Sequence, residues 1–259
     1  MSDFLVSIVT ICYNNSSNIK DTIESVVNQS YQNIEYIIID GGSTDNSIEI
    51  IYKYKDFISV LISEPDKNLY DAINKGLRKA TGHIVGLIHA GDRLFDSSVI
   101  EQIVSYFKEN DIDVLYGHSF IVNQFDKPIR INKSPEFSKN LVRRGWMPSH
   151  QSIYLKRMLL DKYGYYNLEF HPSSDYEFFI RYFYFNDLKI KRLDKYIIKF
   201  SLGGLSTKNY INNLKAQKTQ ADCWDYNGEK APLYLIPLKI LRKPIQFFRA
   251  VIFRFTMMQ

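Results

Sequence analysis

The apolar residues in the first part of the chain follow two spacings. Four continuous apolar runs rich in β-branched residues lie at 5–12, 34–39, 59–63 and 84–88, as is typical of buried strands. Apolar residues at helical spacing follow the runs, as in 19–27, 48–54, 69–77 and 99–107. Buried strands that alternate with amphipathic helices predict an α/β fold with a mostly parallel, Rossmann-like sheet flanked by helices.

The apolar segments become shorter after residue 112. They predict short strands at 114–116, 120–122, 129–131 and 152–155, and helices at 157–163 and 176–185. Neither a repeat nor a low-complexity linker separates the two halves. We therefore expect one domain over 1–230, in which the half at 113–230 extends the sheet of the half at 1–112.

The charge is concentrated at the C-terminal end. Residues 231–259 carry five basic side chains and no acidic one, whereas the remaining residues carry 28 of each sign. A neutral body argues against a nucleic-acid partner. Residues 233–255 combine apolar positions with cations on one helical face, which predicts a basic amphipathic tail on an anionic membrane surface. Packing of this tail on its own domain or on a second subunit is the alternative.

The two cysteines and the opening residues favour a reducing compartment. Cys12 and Cys223 form neither a CxxC pair nor a Cys/His cluster, so we expect no zinc site and no disulfide. The opening apolar run is short and contains Ser7 and Thr10, which predicts a strand and not a signal peptide. No stretch approaches the roughly 20 apolar residues of a membrane-spanning helix. These features together predict a cytoplasmic protein.

Polar clusters follow each of the four buried runs. Tyr13 and Asn14 follow the first, Asp40 and two glycines the second, Asp66 the third and Asp92 the fourth. Ligands of open α/β sheets bind outside the carboxyl ends of the strands, where these clusters should meet. Asp40 is suited to accept from an N–H of a bound base, or only to cap the next helix. Asp92 is suited to hold a divalent cation that bridges two phosphates, or only to end a turn.

Four further residues suggest chemistry, two in the second half and two on the helix at 69–77. Asp175 opens a helix, where it is either a cap or a general base facing the cleft. Asn74 and Lys75 belong to a polar stripe that either lines a pocket or is a solvated face. His150 precedes a strand, where it either binds an acceptor hydroxyl or a phosphate, or is structural.

Taken together, these segments resemble the family 2 glycosyltransferases with the GT-A fold. The segments at 6–14 and 38–47 resemble the opening of that family, and 63–76 resembles its donor-site segment. Weaker matches at 150–151, 174–177 and 203–206 extend the resemblance through residue 206. The resemblance implies that 1–112 is a nucleotide-sugar-binding half and 113–230 an acceptor half.

The resemblance also implies roles for single residues. Donor-binding roles fall on Thr10, Tyr13, Asn14, Asp40, Asp66, Asn74, Lys75 and Asp92. Of these, Thr10, Tyr13 and Asp40 would surround the nucleobase, usually uracil. Acceptor-binding roles fall on Trp146, His150 and Gln151, and Asp175 would be the catalytic base. Asp92 would ligate Mn²⁺ or Mg²⁺. The family's motif usually has a second acidic residue where this chain has Gly91, so the cation would depend heavily on the diphosphate and on water.

The implied reaction is an inverting transfer of a hexose or N-acetylhexosamine from a nucleotide-sugar, expected to be a UDP-sugar. The expected acceptor is a saccharide linked to lipid, as in bacterial polysaccharide assembly, which fits a tail at 231–259 on the inner face of the cell membrane. A nucleotidyltransferase is an alternative, but it would usually show a Gly-rich basic loop after the first strand, and residues 13–17 contain neither Gly nor Lys. A degenerate, non-catalytic sugar- or lipid-binding transferase is another alternative, which only Gly91 favours.

Overall fold

The structure, a computed structural model, describes residues 4–123, 125–201 and 219–238. The strands are β1 Val6–Cys12, β2 Ile34–Asp40, β3 Val60–Ser63, β4 Ile84–His89, β5 Arg93–Leu94, β6 Val114–Val122, β7 Pro128–Asn132, β8 Ile153–Lys156 and β9 Ile190–Ser201. The helices are α1 Ile19–Val27, α2 Ser47–Tyr52, α3 Leu69–Lys79, α4 Val99–Glu109, α5 Lys139–Arg143, α6 Met158–Tyr163 and α7 Ser174–Phe183. Residues 219–226 are also helical.

The described strands form one sheet in the order β3-β2-β1-β4-β8-β6-β9-β5, with β7 paired to β6. The strands β1 to β4 are parallel to one another, and β6 is parallel to β9. β8 runs antiparallel between β4 and β6 and joins the two halves. The predicted fold class, an α/β fold with a mostly parallel sheet, is thereby confirmed.

Two apolar clusters cover the two faces of the sheet. One contains α3, α7 and residues such as Ile39 and Leu155, and the other contains α1, α4 and residues such as Ile38 and Leu115. The residues alternate between the clusters along each strand because successive side chains point to opposite faces. The α7 side is where the site described below is built.

The strand predictions hold better in the first half than in the second. The predicted strands at 114–116 and 120–122 are one continuous strand, β6, whose residues 117–119 are mostly buried polar or glycine positions. The long strand β9 was not predicted, because five of its twelve residues are charged and its register with β6 is irregular.

The described C-terminal segment packs on the domain. Trp224 Nε1 donates to Tyr176 Oη at 2.9 Å, and Leu235, within the predicted tail, is buried in the same apolar cluster as α7. The predictions for 203–206 and for 239–259 lie outside the described residues. Within the described ranges, no helix combines the length and apolarity needed to cross a membrane.

Candidate active site

Three parallel strands end side by side at the edge of the sheet where ligands were expected. β1 lies between β2 and β4, with Cys12 opposite Asp40 and Ile11 opposite His89. The polar loops that follow these strands therefore start from one edge, as the sequence predicted.

The loop after β1 forms hydrogen bonds with the loops after β2 and β4. The backbone N–H of Thr44, in the loop after β2, donates to Asn14 Oδ1 at 2.8 Å. Asn15 Nδ2 donates to the carbonyl oxygen of Ala90, in the loop after β4, at 2.7 Å. Asn14 has φ 46°, a left-handed conformation that Asn tolerates better than most residues. Asn14 thus serves loop geometry, and its predicted contact with the donor stays a prediction.

The carboxylate of Asp40 is used within its own loop. It is fully buried and accepts from the backbone N–H groups of Gly42 and Ser43 at 3.2 and 3.0 Å. The hydroxyl of Ser43 and that of Ser63, the latter at 2.7 Å, also donate to it. Thr10 is likewise buried, with its hydroxyl 3.0 Å from Tyr36 Oη. Asp40 thus shapes its own loop and Thr10 bonds to Tyr36, and the predicted contact of both residues with the base stays a prediction.

Tyr13 and Asp66 both approach Gly41 and line the candidate cleft at this edge of the sheet. Tyr13 is 64% exposed. A Cβ added at Gly41 would lie 3.0 Å from Asp66 Oδ2 and 3.4 Å from the Tyr13 ring. Only a glycine leaves this space free at the end of β2. The exposed ring of Tyr13 is suited to stacking against the flat ring of a base.

Lys75 is held beside this cleft by carboxylates. Its Nζ lies 2.7 Å from Asp66 Oδ1 and 2.8 Å from Glu64 Oε1. Burial disfavours the charge of Lys75, but the bonds to Asp66 and Glu64 outweigh burial and raise its pKa. Lys75 therefore stays protonated, as a contact with phosphate or sugar oxygens requires.

Asn74 bonds to the backbone of Tyr166. It is buried, its Nδ2 donates to the carbonyl oxygen of Tyr166 at 2.8 Å, and its Oδ1 accepts from the Tyr166 N–H at 3.0 Å. Both halves of the amide are thereby engaged with one backbone. Asn74 thus holds the Tyr166 loop against α3, and its predicted contact with the donor stays a prediction.

Gln151 connects Asp92 to the end of β4. Its Nε2 donates to Asp92 Oδ2 at 2.7 Å, and its Oε1 accepts from the His89 N–H at 2.7 Å. The N–H of Ser201 donates to Asp92 Oδ1 at 3.0 Å. Burial raises the pKa of Asp92 to about 6, although the bonds from Gln151 and Ser201 act to lower it. The structure thus engages Gln151, which was predicted to contact the acceptor, in orienting Asp92.

A histidine pair continues from this point to Asp175. The Nε2 atoms of His89 and His150 are 2.7 Å apart, so one imidazole donates and the other accepts. Burial lowers the pKa of His150, and the nearby charge of Asp175 acts in the opposite direction. Hydrogen bonds thereby connect Asp92 through Gln151 and His89 to His150, whose pKa responds to the charge of Asp175 from the other half of the chain.

Two tyrosines form the wall around Asp175. Burial and then the charge of Asp175 raise the pKa values of Tyr70 and Tyr166. Ser173 is the N-cap of α7 and Asp175 lies in its first turn, which excludes the simple capping interpretation of Asp175. His89, Tyr70 and Tyr166 were not among the predicted site residues. Only the position of His89 at a strand end was a signal in the sequence.

Trp146 belongs to the core. It is 7% exposed, and its ring lies 5.5 Å from that of Tyr116 and 6.0 Å from that of Phe179, centroid to centroid. The structure therefore shows a packing role for Trp146, and its predicted contact with the acceptor stays a prediction.

Known proteins of similar sequence identify the family of this chain. The sequence profile described as Glycosyl transferase family 2 matches residues 7–187, well over half of the chain. The chain belongs to glycosyl transferase family 2. The resemblance in the sequence is thereby confirmed, and the chain is a glycosyltransferase.

Two family relatives match along most of their length. An uncharacterised glycosyltransferase of Mycobacterium tuberculosis is 32% identical over 180 residues, which cover 68% of each chain. The Escherichia coli protein WfgD is 25% identical over 230 residues, which cover 88% of this chain and 87% of WfgD. WfgD is named a UDP-Glc:alpha-D-GlcNAc-diphosphoundecaprenol beta-1,3-glucosyltransferase.

Two solved structures share the family's fold. S. aureus TarS 1–349 in complex with UDP superposes with a TM-score of 0.68 at 20% identity, over 90% of this chain and 68% of that chain. The match covers 36% of the longer TarS chain. The mannosyltransferase PcManGT from Pyrobaculum calidifontis, solved with GDP-Man and Mn²⁺, has a TM-score of 0.63 at 15% identity, over 96% of this chain and 70% of that chain.

The residues around Asp92 suit a cation that is carried mainly by the donor. Among the described residues of this family 2 transferase, no group of three or more His, Cys, Asp or Glu side chains is arranged to hold a metal ion. Asp92 supplies one partly buried carboxylate whose pKa is raised by burial, and a nearby cation would reverse that effect. Mg²⁺ is commonly bound by one or two carboxylates together with substrate phosphates. The residues present therefore fit a cation held by Asp92 and a diphosphate.

The raised pKa of Asp92 predicts a pH-dependent stability effect of Asp92→Asn. The folded-state pKa of about 6 lies above the ordinary aspartate pKa of 3.8, so folding favours the protonated form, and this stability is lost as the pH rises through 6. Without metal, we expect Asp92→Asn to unfold at higher urea than the wild type at pH 8, by roughly 2–3 kcal/mol. The difference should vanish near pH 4.

The matched control for this experiment is Asp161→Asn, which changes a carboxylate that is 56% exposed. Urea midpoints in chelator at both pH values provide the measurement. Equal stability of Asp92→Asn and wild type at pH 8 would show that Asp92 is ionised in the folded state without cost.

Proposed function

We propose that this transferase moves a hexose or N-acetylhexosamine from a UDP-sugar to a saccharide acceptor, with inversion at the anomeric carbon. The supporting observation is the set of hydrogen bonds from Asp92 through Gln151 and His89 to His150, together with the effect of the Asp175 charge on the pKa of His150. One carboxylate for the leaving group and one for the attacking hydroxyl would then share a single cleft. That arrangement suits direct displacement, which needs one base and one stabilised leaving group.

On the donor side, the cleft over Gly41 would receive the uracil beside Tyr13. Asp66 and Lys75 lie next in the cleft, where they would contact the ribose and the donor sugar. WfgD is named for a UDP-sugar, and TarS was solved with UDP. These neighbours support a uridine nucleotide as the donor.

On the acceptor side, Asp175 would accept the proton of the attacking hydroxyl as its oxygen bonds to the anomeric carbon. Burial lowers the pKa of His150, on which the charge of Asp175 acts in the opposite direction, so a neutral His150 would orient the carboxylate or the hydroxyl without repelling the incoming proton. Mn²⁺ or Mg²⁺, held by Asp92 and the diphosphate, would neutralise charge on the departing UDP. Tyr70 and Tyr166 would exclude water from the reacting hydroxyl.

The acceptor is proposed to be lipid-linked and the reaction to occur at the inner face of the cell membrane. WfgD is named for a diphosphoundecaprenol-linked acceptor. The five cations and apolar residues of 231–259 suit attraction to anionic lipid headgroups. The sequence carries this part of the proposal.

A thermal-shift panel tests the donor and the cation together. UDP with Mn²⁺ at about 100 times its Kd should stabilise the protein by about 2.7 kcal/mol, or roughly 5–10 °C in melting temperature. GDP and dTDP should stabilise it less, and excess chelator should remove most of the UDP effect. Transfer from the UDP-sugar should also stop in chelator and return with Mn²⁺.

Asp92→Asn is the variant that links this effect to the site. It should lose the Mn²⁺-dependent part of the UDP stabilisation, whereas Asp161→Asn should keep it. Full transfer activity in excess chelator would contradict the cation, and a larger shift with GDP than with UDP would contradict the uridine donor.

A further inference from the structure

Helix α3 contacts the donor cleft and the second half of the chain with different residues. Lys75 lies beside the carboxylates of the candidate donor cleft. Tyr70, Asn74 and Arg78 are spaced four residues apart along the helix and therefore share another face. One rigid element thus carries a donor-side residue and a row of residues directed at the second half.

All three residues of this face contact the segment 165–172, which leads to α7. The guanidinium of Arg78 lies over the ring of Tyr165, 4.9 Å from its centroid. Asn74 exchanges two hydrogen bonds with the backbone of Tyr166. Tyr70 reaches the far end of the segment, next to the start of α7.

The hydroxyl of Tyr70 is held close to the residues that precede Asp175. The side chain is buried, and its Oη donates to the carbonyl oxygen of Pro172, three positions before Asp175, at 3.0 Å. The ring also stacks on that of Tyr166, with 5.6 Å between the centroids. The packing of the ring thus fixes the position of the hydroxyl at the beginning of α7.

The same hydroxyl interacts with Asp175 itself. Burial and then the charge of Asp175 raise the pKa of Tyr70, a hydrogen bond with the Asp175 backbone acts to lower it, and one with the Asp175 side chain raises it further. A phenol that donates to a carboxylate keeps its proton more firmly, whereas one that accepts from an N–H loses it more readily. The backbone N–H groups of a first helical turn have no acceptor within the helix, so Tyr70 Oη supplies one.

We propose that Tyr70 is a positioning residue for Asp175, whose carboxylate it holds in place relative to the donor from helix α3. Asp175 Oδ1 already accepts from the Tyr176 N–H at 2.8 Å, and a bond from Tyr70 would fix the carboxylate in a second direction. Misplacement of a reacting group by about 1 Å can lower a rate by about 10²-fold. Because α3 carries both Tyr70 and Lys75, the base and the donor would be positioned by one element. The role of Tyr70 rests on the proposed function of Asp175 as the base.

Tyr70→Phe tests the proposal, because it removes the hydroxyl and keeps the ring in its apolar cluster. We expect kcat for transfer from a UDP-sugar to fall by about tenfold, the lower end of the effect of losing a hydrogen bond to a charged group. The KM for the UDP-sugar and the thermal shift caused by UDP and Mn²⁺ should stay at their wild-type values. A residue that only stabilised the fold would change the melting temperature and leave kcat unchanged.

Two further variants connect the loss to Asp175. Tyr116→Phe is the matched control, since it removes another buried hydroxyl that donates to a proline carbonyl, that of Pro135, at 2.7 Å. It should keep the wild-type kcat. Tyr70→Phe added to Asp175→Asn should cause no further loss of kcat, because the effects of residues that act as a unit are not additive.

Three outcomes would overturn the role of Tyr70. They are an unchanged kcat in Tyr70→Phe, an equal loss of kcat in Tyr116→Phe, and a further tenfold loss when Tyr70→Phe is added to Asp175→Asn. The last of these would show that Tyr70 acts independently of Asp175. Wild-type turnover in Asp175→Asn would instead count against the proposed function, so the two failures are distinguishable.

Discussion

Replacing Asp175 by Asn is expected to lower the rate of sugar transfer by about 10²–10⁴-fold while donor binding is kept. Asn has nearly the same shape as Asp but cannot accept the proton of the attacking hydroxyl. Asp175 Oδ1 accepts from the Tyr176 N–H at 2.8 Å, and the amide oxygen of Asn can accept the same bond. The start of α7 should therefore keep its geometry, and the loss should appear in kcat.

The measurement is the rate of transfer from a UDP-sugar, together with the thermal shift caused by UDP and Mn²⁺. Asp161→Asn, the same chemical change on the exposed face of α6, should leave both values unchanged. Asp175→Asn with wild-type turnover would remove Asp175 from the base role. If the wild type bound UDP but transferred no sugar, a non-catalytic binding protein would be the better description.

The fold of the first half was predictable because its determinants are local. Each of the strands β1 to β4 is an apolar run, and each polar cluster follows one directly, so periodicity alone locates the edge of the sheet where Asp40 and Asp92 lie. β9 was not predicted because its charged residues obscure the alternation of apolar and polar positions. Its identity as a strand comes from its pairing with β6.

The contacts inside the site were less predictable because they join distant segments. The pair of His89 and His150 spans 61 positions and depends on how the turn His150–Ser152 packs against β4. Likewise, the polar stripe on α3 shows that Asn74 and Lys75 are neighbours. It does not show that Asn74 meets the backbone of Tyr166 whereas Lys75 meets carboxylates. Only the family resemblance connected Asp92 with Asp175.

The ion pair of Glu177 and Arg181 holds α7, the helix that carries Asp175, against the neighbouring loop. Glu177 is fully buried, and its Oε1 and Oε2 accept from Arg181 at 2.8 and 2.9 Å. Arg181 also donates to the carbonyl oxygens of Tyr163, Gly164 and Tyr165. The pair therefore fastens α7 to the loop that carries Tyr166.

Glu177→Ala is consequently expected to destabilise the protein by about 3–5 kcal/mol, because it leaves the guanidinium of Arg181 buried without its carboxylate. This is a large part of a typical stability of about 5–15 kcal/mol, and it should lower the melting temperature by roughly 10 °C or more. The matched control is Asp161→Ala, which removes another i,i+4 partner of an arginine, at 2.9 Å but on the surface, where such pairs contribute about 0.3–0.5 kcal/mol. Urea unfolding of both variants gives the comparison. Similar losses of unfolding free energy in Glu177→Ala and Asp161→Ala would mean that burial does not strengthen the pair of Glu177 and Arg181 and that the pair does not anchor α7.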